Sequence, residues 1–154
     1  MIKQSFITVA IIFGIVSAST NKDSIRIVNS GSTNTAGYTI TVERTGSVTW
    51  IVAPRVRPVI SSTTPASSTT TRNSIQLSAS RTNAIFEAVQ QTLPFTQYKP
   101  VFCVKSVSFG TTLHVQYRGE QTPDLSCPLK DERLIILSKY VQSLIADLHI
   151  QTFG

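Results

Sequence analysis

The two cysteines of the chain, Cys103 and Cys127, bracket one strongly patterned stretch, and a bond between them would tie its ends together. Within it, Val107 and Phe109 precede Gly110-Thr111-Thr112, and Leu113, Val115 and Tyr117 follow. A three-residue loop sets Phe109 opposite Leu113, Val107 opposite Val115 and Lys105 opposite Tyr117. A two-residue loop would pair Val107 with His114 and Phe109 with Thr112, because a slip of one residue exchanges the faces of a strand. The matched apolar set therefore predicts a hairpin with the longer loop, in which Gly110 takes the dihedrals such a loop needs. Ser106, Ser108, His114, Gln116 and Arg118 then share a water-facing side, as in a sheet covered on one face only.

Cys103 opens this hairpin and Cys127 precedes the last helical pattern, so a disulfide would join sheet to helix. Closing a loop of that size stabilises by roughly 3–4 kcal/mol on chain-entropy grounds. The alternative is a pair of free thiols holding a metal, but no His or further Cys lies at ligand spacing. The start of the chain favours the disulfide. Residues 1–18 read as a secretory signal: Lys3 supplies the positive region, Phe6 to Val16 an uncharged apolar run, and Val16-Ser17-Ala18 the cleavage positions. The run is short of the ~20 residues a membrane span requires. A secreted or extracellular location follows, periplasmic in a Gram-negative cell, and such compartments sustain disulfides.

Residues 19–154 are expected to form a single domain. The chain is basic, with 14 Lys and Arg against 8 Asp and Glu, and only Lys3 of these falls in the expected signal, yet the cations are scattered. Nucleic-acid binders cluster theirs on one face, so no nucleic-acid partner is expected. Three alternating segments open the domain: Ile25 and Ile27; Tyr38, Ile40 and Val42; Val48, Trp50 and Val52. Period-two alternation of β-branched and aromatic residues predicts strands, here an antiparallel meander turning at Arg44-Thr45-Gly46-Ser47. The polar loop between the first two strands carries Ser32, Thr33 and Asn34, whose amide and hydroxyl groups make it a candidate binding loop. The same residues are also ordinary turn formers.

Residues 54–72 are rich in Pro, Ser and Thr and are expected to be a flexible insertion within the domain. A short strand over residues 73–78 follows. Ser80 or Thr82 is placed to cap a helix carrying Ile85, Phe86, Val89 and Leu93, which Pro94 ends. Pro128, Asp131 and Glu132 suit the start of a final helix, whose stripe of Leu134, Leu137, Val141, Leu144 and Leu148 is widened by Ile145. The fold class is α+β, of order β-β-β-β-α-β-β-α: an antiparallel sheet covered on one face by two helices, with one disulfide.

Catalytic chemistry is not legible. No Gly-x-Ser-x-Gly, His-Glu-x-x-His or phosphate-binding loop occurs, and no cofactor or metal site is expected. Asp124 and Ser126 would have to meet His114 to form a hydrolytic set, whereas turn and cap roles explain them more simply. The segments Asn29 to Ile40 (with Ser-Gly-Ser-Thr-Asn-Thr-Ala-Gly-Tyr-Thr-Ile), Cys103 to Tyr117 (with Cys-Val-Lys-Ser-Val-Ser-Phe-Gly-Thr) and Pro123 to Cys127 (Pro-Asp-Leu-Ser-Cys) resemble those of a group of small exported microbial proteins, mainly bacterial, of unassigned function. The resemblance implies a shared fold and the pairing of Cys103 with Cys127, and brings no activity with it. The leading expectation is a monomeric, non-enzymatic binding protein for an extracellular protein or glycan, acting through the open sheet face and polar loops. A secreted inhibitor of a protease, with residues 54–65 or 94–100 as bait, is the second, and a small extracellular hydrolase the third.

Overall fold

The computed structural model describes residues 23–53 and 72–152; the expected signal peptide and residues 54–71 of the insertion lie outside them. Six strands form one antiparallel sheet: β1 (Ser24–Asn29), β2 (Tyr38–Glu43), β3 (Ser47–Val52), β4 (Arg72–Gln76), β5 (Leu113–Tyr117) and β6 (Glu120–Gln121). Their order across the sheet is β4-β3-β2-β1-β5-β6. Two helices, α1 (Ala79–Thr92) and α2 (Glu132–Asp147), complete an α+β fold with one disulfide, Cys103–Cys127.

The meander has the alternation its sequence predicts. Ile25 and Ile27 of β1 face Val42 and Ile40 of β2, and these face Val48 and Trp50 of β3, so one apolar row crosses the sheet from strand to strand. At the β2–β3 turn Gly46 has φ +87°, a conformation costly for residues with a Cβ, and its N–H donates to the Glu43 carbonyl. The opposite face of the sheet carries Arg26, Thr39, Thr41 and Thr49 of the meander and His114 and Gln116 of β5, none of them buried. Burial is confined to the helix side. Ile27, Ile40, Val42, Phe86, Val89, Val115, Leu137 and Leu144 share a single core, drawn from both halves of the chain.

The hairpin of the second half is not the expected one. Residues 103–109 form no strand, and β5 pairs instead with β1, setting Val115 beside Ile27 and Leu113 beside Asn29. Its other edge takes β6 through a two-residue turn, Arg118 and Gly119, both at positive φ as a type I′ hairpin requires. The reason is competition between edges. β1 already presents Ile25 and Ile27 to the core, so β5 gains a long partner and a place in the main apolar layer. A local partner over residues 103–109 would offer only a two-stranded ribbon, which is marginal by itself. Gly110 is not at positive φ either. It is needed for space, since a Cβ there would lie 2.4 Å from the Ser106 carbonyl oxygen and 2.5 Å from the Lys105 Cβ.

The helices begin at other residues than expected. Ser78, not Ser80 or Thr82, caps α1, its hydroxyl accepting from the Arg81 N–H. Thr82 instead returns its hydroxyl to the Ser78 carbonyl at 2.9 Å. Asp131 caps α2 by accepting from the Arg133 N–H at 2.9 Å, so Pro128 stands before the helix. The stripe Leu134, Leu137, Val141, Leu144 and Leu148 is buried throughout. Arg81 reaches across from α1 to Asp147 and to the Ser143 hydroxyl of α2. β4 runs one residue into the expected insertion, because Arg72 pairs with Ile51, and it ends at Gln76.

Two substitutions separate the observed pairing from the local hairpin. Val115→Ala should cost about 2 kcal/mol, whereas Val107→Ala should change stability by less than about 0.5 kcal/mol. Urea unfolding of the two variants checks this; equal losses would restore the local register.

Candidate interaction site

Pro100 to Thr112, the connection into β5, presents apolar side chains to water in a way no other described segment does. Phe102 is 90% exposed, Val104 103%, Val107 89% and Phe109 59%. Cys103, between the first two, and Lys105, after Val104, turn the other way, toward the body of the protein. The alternation is that of an extended chain with one side fastened and the other free.

The fastenings are of three kinds. Cys103 is bonded to Cys127, with their Cα atoms 5.7 Å apart. The Lys105 ammonium donates to the Asp124 carboxylate, to the Ser126 hydroxyl at 2.6 Å and to the Thr111 carbonyl. Farther on, the polar loop between β1 and β2 holds the 106–110 turn. Ser32 Oγ donates to the Ser108 carbonyl at 2.7 Å, the Asn34 N–H donates to the same oxygen at 3.0 Å, and Thr33 Oγ1 lies 3.5 Å from the Val107 carbonyl. The Gly110 N–H closes the turn on the Ser106 carbonyl. Ser32, Thr33 and Asn34, the candidate binding loop of the sequence, thus meet the second cysteine-bearing segment, and their donors are directed at its backbone.

Asp124 is the hub of this brace. Its side chain is buried, and one oxygen also accepts from the N–H groups of Leu113 and Ser126, both at 3.0 Å. Burial alone would raise its pKa. The hydrogen bond from Lys105, then those from the Ser126 hydroxyl and the two backbone N–H groups, outweigh burial and bring the carboxyl down to about 2. The Lys105 side chain directs its donors to three acceptors, the Asp124 carboxylate, the Ser126 hydroxyl and the Thr111 carbonyl. Ser126 Oγ also donates to the Thr111 carbonyl at 3.0 Å, so the arrangement ties residues 105, 111, 124 and 126 together.

His114 does not join this group by any hydrogen bond. Its Nδ1 lies 3.0 Å from the Thr122 carbonyl oxygen and, as the protonated nitrogen, donates to it across the β5–β6 hairpin. A cleft of about 380 Å³ separates the Phe95 to Phe102 segment from this hairpin, walled by Phe95, Tyr98, Val101, Phe102 and Pro123, with His114 at one side. Among the described residues, no three of His, Cys, Asp and Glu gather into a group that could hold a metal ion. Nor is any helix among them long and apolar enough to cross a membrane.

Sequence reasoning assigned Val107 and Phe109 to the core because large apolar residues are usually buried. The contrary signal was Lys105, an inward charge in the middle of the supposed strand, together with Asp124, one of two acidic residues in the same disulfide loop. No family model, no curated protein and no solved structure matches the chain.

Two consequences follow for stability. The folded-state pKa of Asp124 lies below its ordinary value, so its stabilisation is complete above pH ~4 and lost as pH falls through about 2. Unfolding free energies measured between pH 6 and pH 2 should therefore lose about 2 kcal/mol that Asp124→Asn lacks at every pH. Reduction of Cys103–Cys127 should cost about 3 kcal/mol and release the 101–112 loop to limited proteolysis. A melting temperature and digestion pattern unchanged by reductant would contradict this.

Proposed function

We propose that the protein is exported and non-enzymatic, and that it engages an extracellular partner through the 101–112 loop. One observation carries the reading: four large apolar side chains stand in water on a segment held from behind by a disulfide, an ion pair and hydrogen bonds. Exposed apolar clusters of this kind mark interaction sites, because leaving them hydrated forgoes roughly 1.5–3 kcal/mol for each large side chain. Rigid presentation favours binding as well, since little conformational freedom is then lost on association. The disulfide is consistent with an oxidising compartment, in keeping with the signal-like residues 1–18.

In this reading the two polar elements emphasised by the sequence have a supporting part. Ser32, Thr33 and Asn34 buttress the loop, and the open sheet face of Arg26, Thr41, Thr49 and Gln116 is its hydrated flank. A partner protein with an apolar recess fits the loop better than a glycan, whose hydroxyls need polar counterparts that Phe102, Val104, Val107 and Phe109 do not offer.

The test compares mature protein with Phe102→Ser/Phe109→Ser, both immobilised and exposed to culture medium and cell-surface extract of the source. The variant should fold as stably as the native protein, because both residues are exposed. A species retained through a salt wash by the native protein and lost with the variant is the expected result. An identical set retained by both proteins would move the binding surface elsewhere.

A further inference from the structure

Within the loop one residue is distinguished by its neighbours. Val104 is fully exposed, and the residues on both sides of it are fastened to the body: Cys103 through its disulfide, and Lys105 through Asp124, Ser126 and Thr111. Phe102, Val107 and Phe109 have no such pair of adjacent anchors. We propose that this stretch is a substrate-like inhibitory loop for a serine endopeptidase whose primary pocket takes a small branched aliphatic side chain, with Val104 as the residue inserted. The inference rests on the 101–112 loop being the interaction element, and names the class of partner.

The argument is about what happens after attack. A peptidase serine hydroxyl adding to the Val104 carbonyl carbon would form an acyl ester as the Val104–Lys105 C–N bond breaks. The serine proton passes by way of the peptidase's own base to the Lys105 nitrogen, which leaves as a primary amine. On a flexible substrate that amine diffuses away and water completes hydrolysis. Here it has nowhere to go. The Lys105 side chain remains bound at Asp124 and Ser126, and the Thr111 carbonyl that accepts from it belongs to the chain leading directly into β5. Val104 stays attached to Cys103, which is bonded to Cys127, and Ser126 and Cys127 are consecutive residues. Both new ends are therefore held to the same few residues. The effective concentration of the amine at the ester is that of an intramolecular group, so the reverse step, amine attack with re-formation of the peptide bond and release of serine, is strongly favoured.

Side-chain chemistry selects the enzyme. Val104 is small, branched and apolar. Lys105, the adjacent cation, is drawn inward and so unavailable to a peptidase that selects basic residues. Phe102 is two residues before Val104 and shares its outward direction, so both enter the same side of an extended-substrate cleft. No acidic side chain stands exposed between Pro100 and Thr112 to oppose entry into an apolar pocket.

The experiment uses the mature, disulfide-intact protein against an elastase-type serine endopeptidase, with trypsin-type and chymotrypsin-type enzymes alongside. The expected result is stoichiometric, reversible inhibition of the elastase-type enzyme. Val104→Asp should weaken it by about 30-fold or more, the effect of losing a central anchor. Lys105→Ala, and separately reduction of the disulfide, should convert inhibitor into substrate, with cleavage mapped to the Val104–Lys105 bond. Rapid turnover of the intact protein, or inhibition confined to the trypsin-type enzyme, would overturn the assignment. So would loop-dependent binding to phosphatidylserine-containing vesicles with no peptidase inhibited, which would identify a lipid surface as the occupant. Retention of a non-peptidase partner that Phe102→Ser/Phe109→Ser abolishes would sink this inference and leave the interaction loop standing. Loss of both results would remove the loop from function altogether.

Discussion

β1 is the strand on which the two halves of the chain meet. It hydrogen-bonds β2 along one edge and β5 along the other, and Ile27 sits between Ile40 on one side and Val115 on the other. Without that second pairing, the meander would end in an open edge and the helices would cover half a sheet. The pairing is long-range: Ser30 alone exchanges hydrogen bonds with Thr112, 82 residues away. Contacts of such separation are closed late and slowly, because loop entropy is lost before the contacts form. The core of Phe86, Val89, Leu137 and Leu144 can close only once both halves are in place.

Placing β5 beside β1 also decides what happens to the residues before it. They cannot pair with β5, whose edges are occupied by β1 and β6, so they cross the end of the sheet as an irregular segment. Such a segment would ordinarily be mobile. The disulfide and the buried carboxylate of Asp124 prevent that by drawing alternate residues inward, and the geometry leaves the remaining residues outward whatever their chemistry. That those residues are Phe and Val is therefore informative. Neither packing nor pairing demands them there.

Much of this fold can be read from local pattern. Alternation over 25–27, 38–42 and 48–52 gives both faces of the meander, and the three-four stripe from Leu134 to Leu148 gives the buried face of α2. With two cysteines, only one intramolecular pairing exists. Local pattern fails where a distant element competes. The apolar residues at 107, 109, 113 and 115 match one another well, but that match contains no information about the edge β1 offers. Cap positions were displaced for a related reason: Ser78, Ser80 and Thr82 carry similar hydroxyls, and tertiary packing, not sequence, chooses which one starts the helix. The exposure of the 101–112 loop was hidden by the ordinary rule that large apolar residues go inside, a rule with exceptions on every protein surface.

The neighbouring positions of β3 and β4 have a consequence for how the chain can vary. Ile51 faces Arg72, so the chain leaves the described sheet at Ala53 and returns to it on the adjacent strand. Whatever lies between is topologically a hairpin connection, and the ladder constrains only its two ends. Doubling the length of such a connection costs only about 0.6 kcal/mol. The domain can therefore accept a long, short or wholly different segment at this point without changing its core. For a lineage, this is a place where sequence can be gained and lost freely. For an engineer, it is a port for inserting a tag or a second module at the end of the sheet, in mid-chain, with both native termini left untouched.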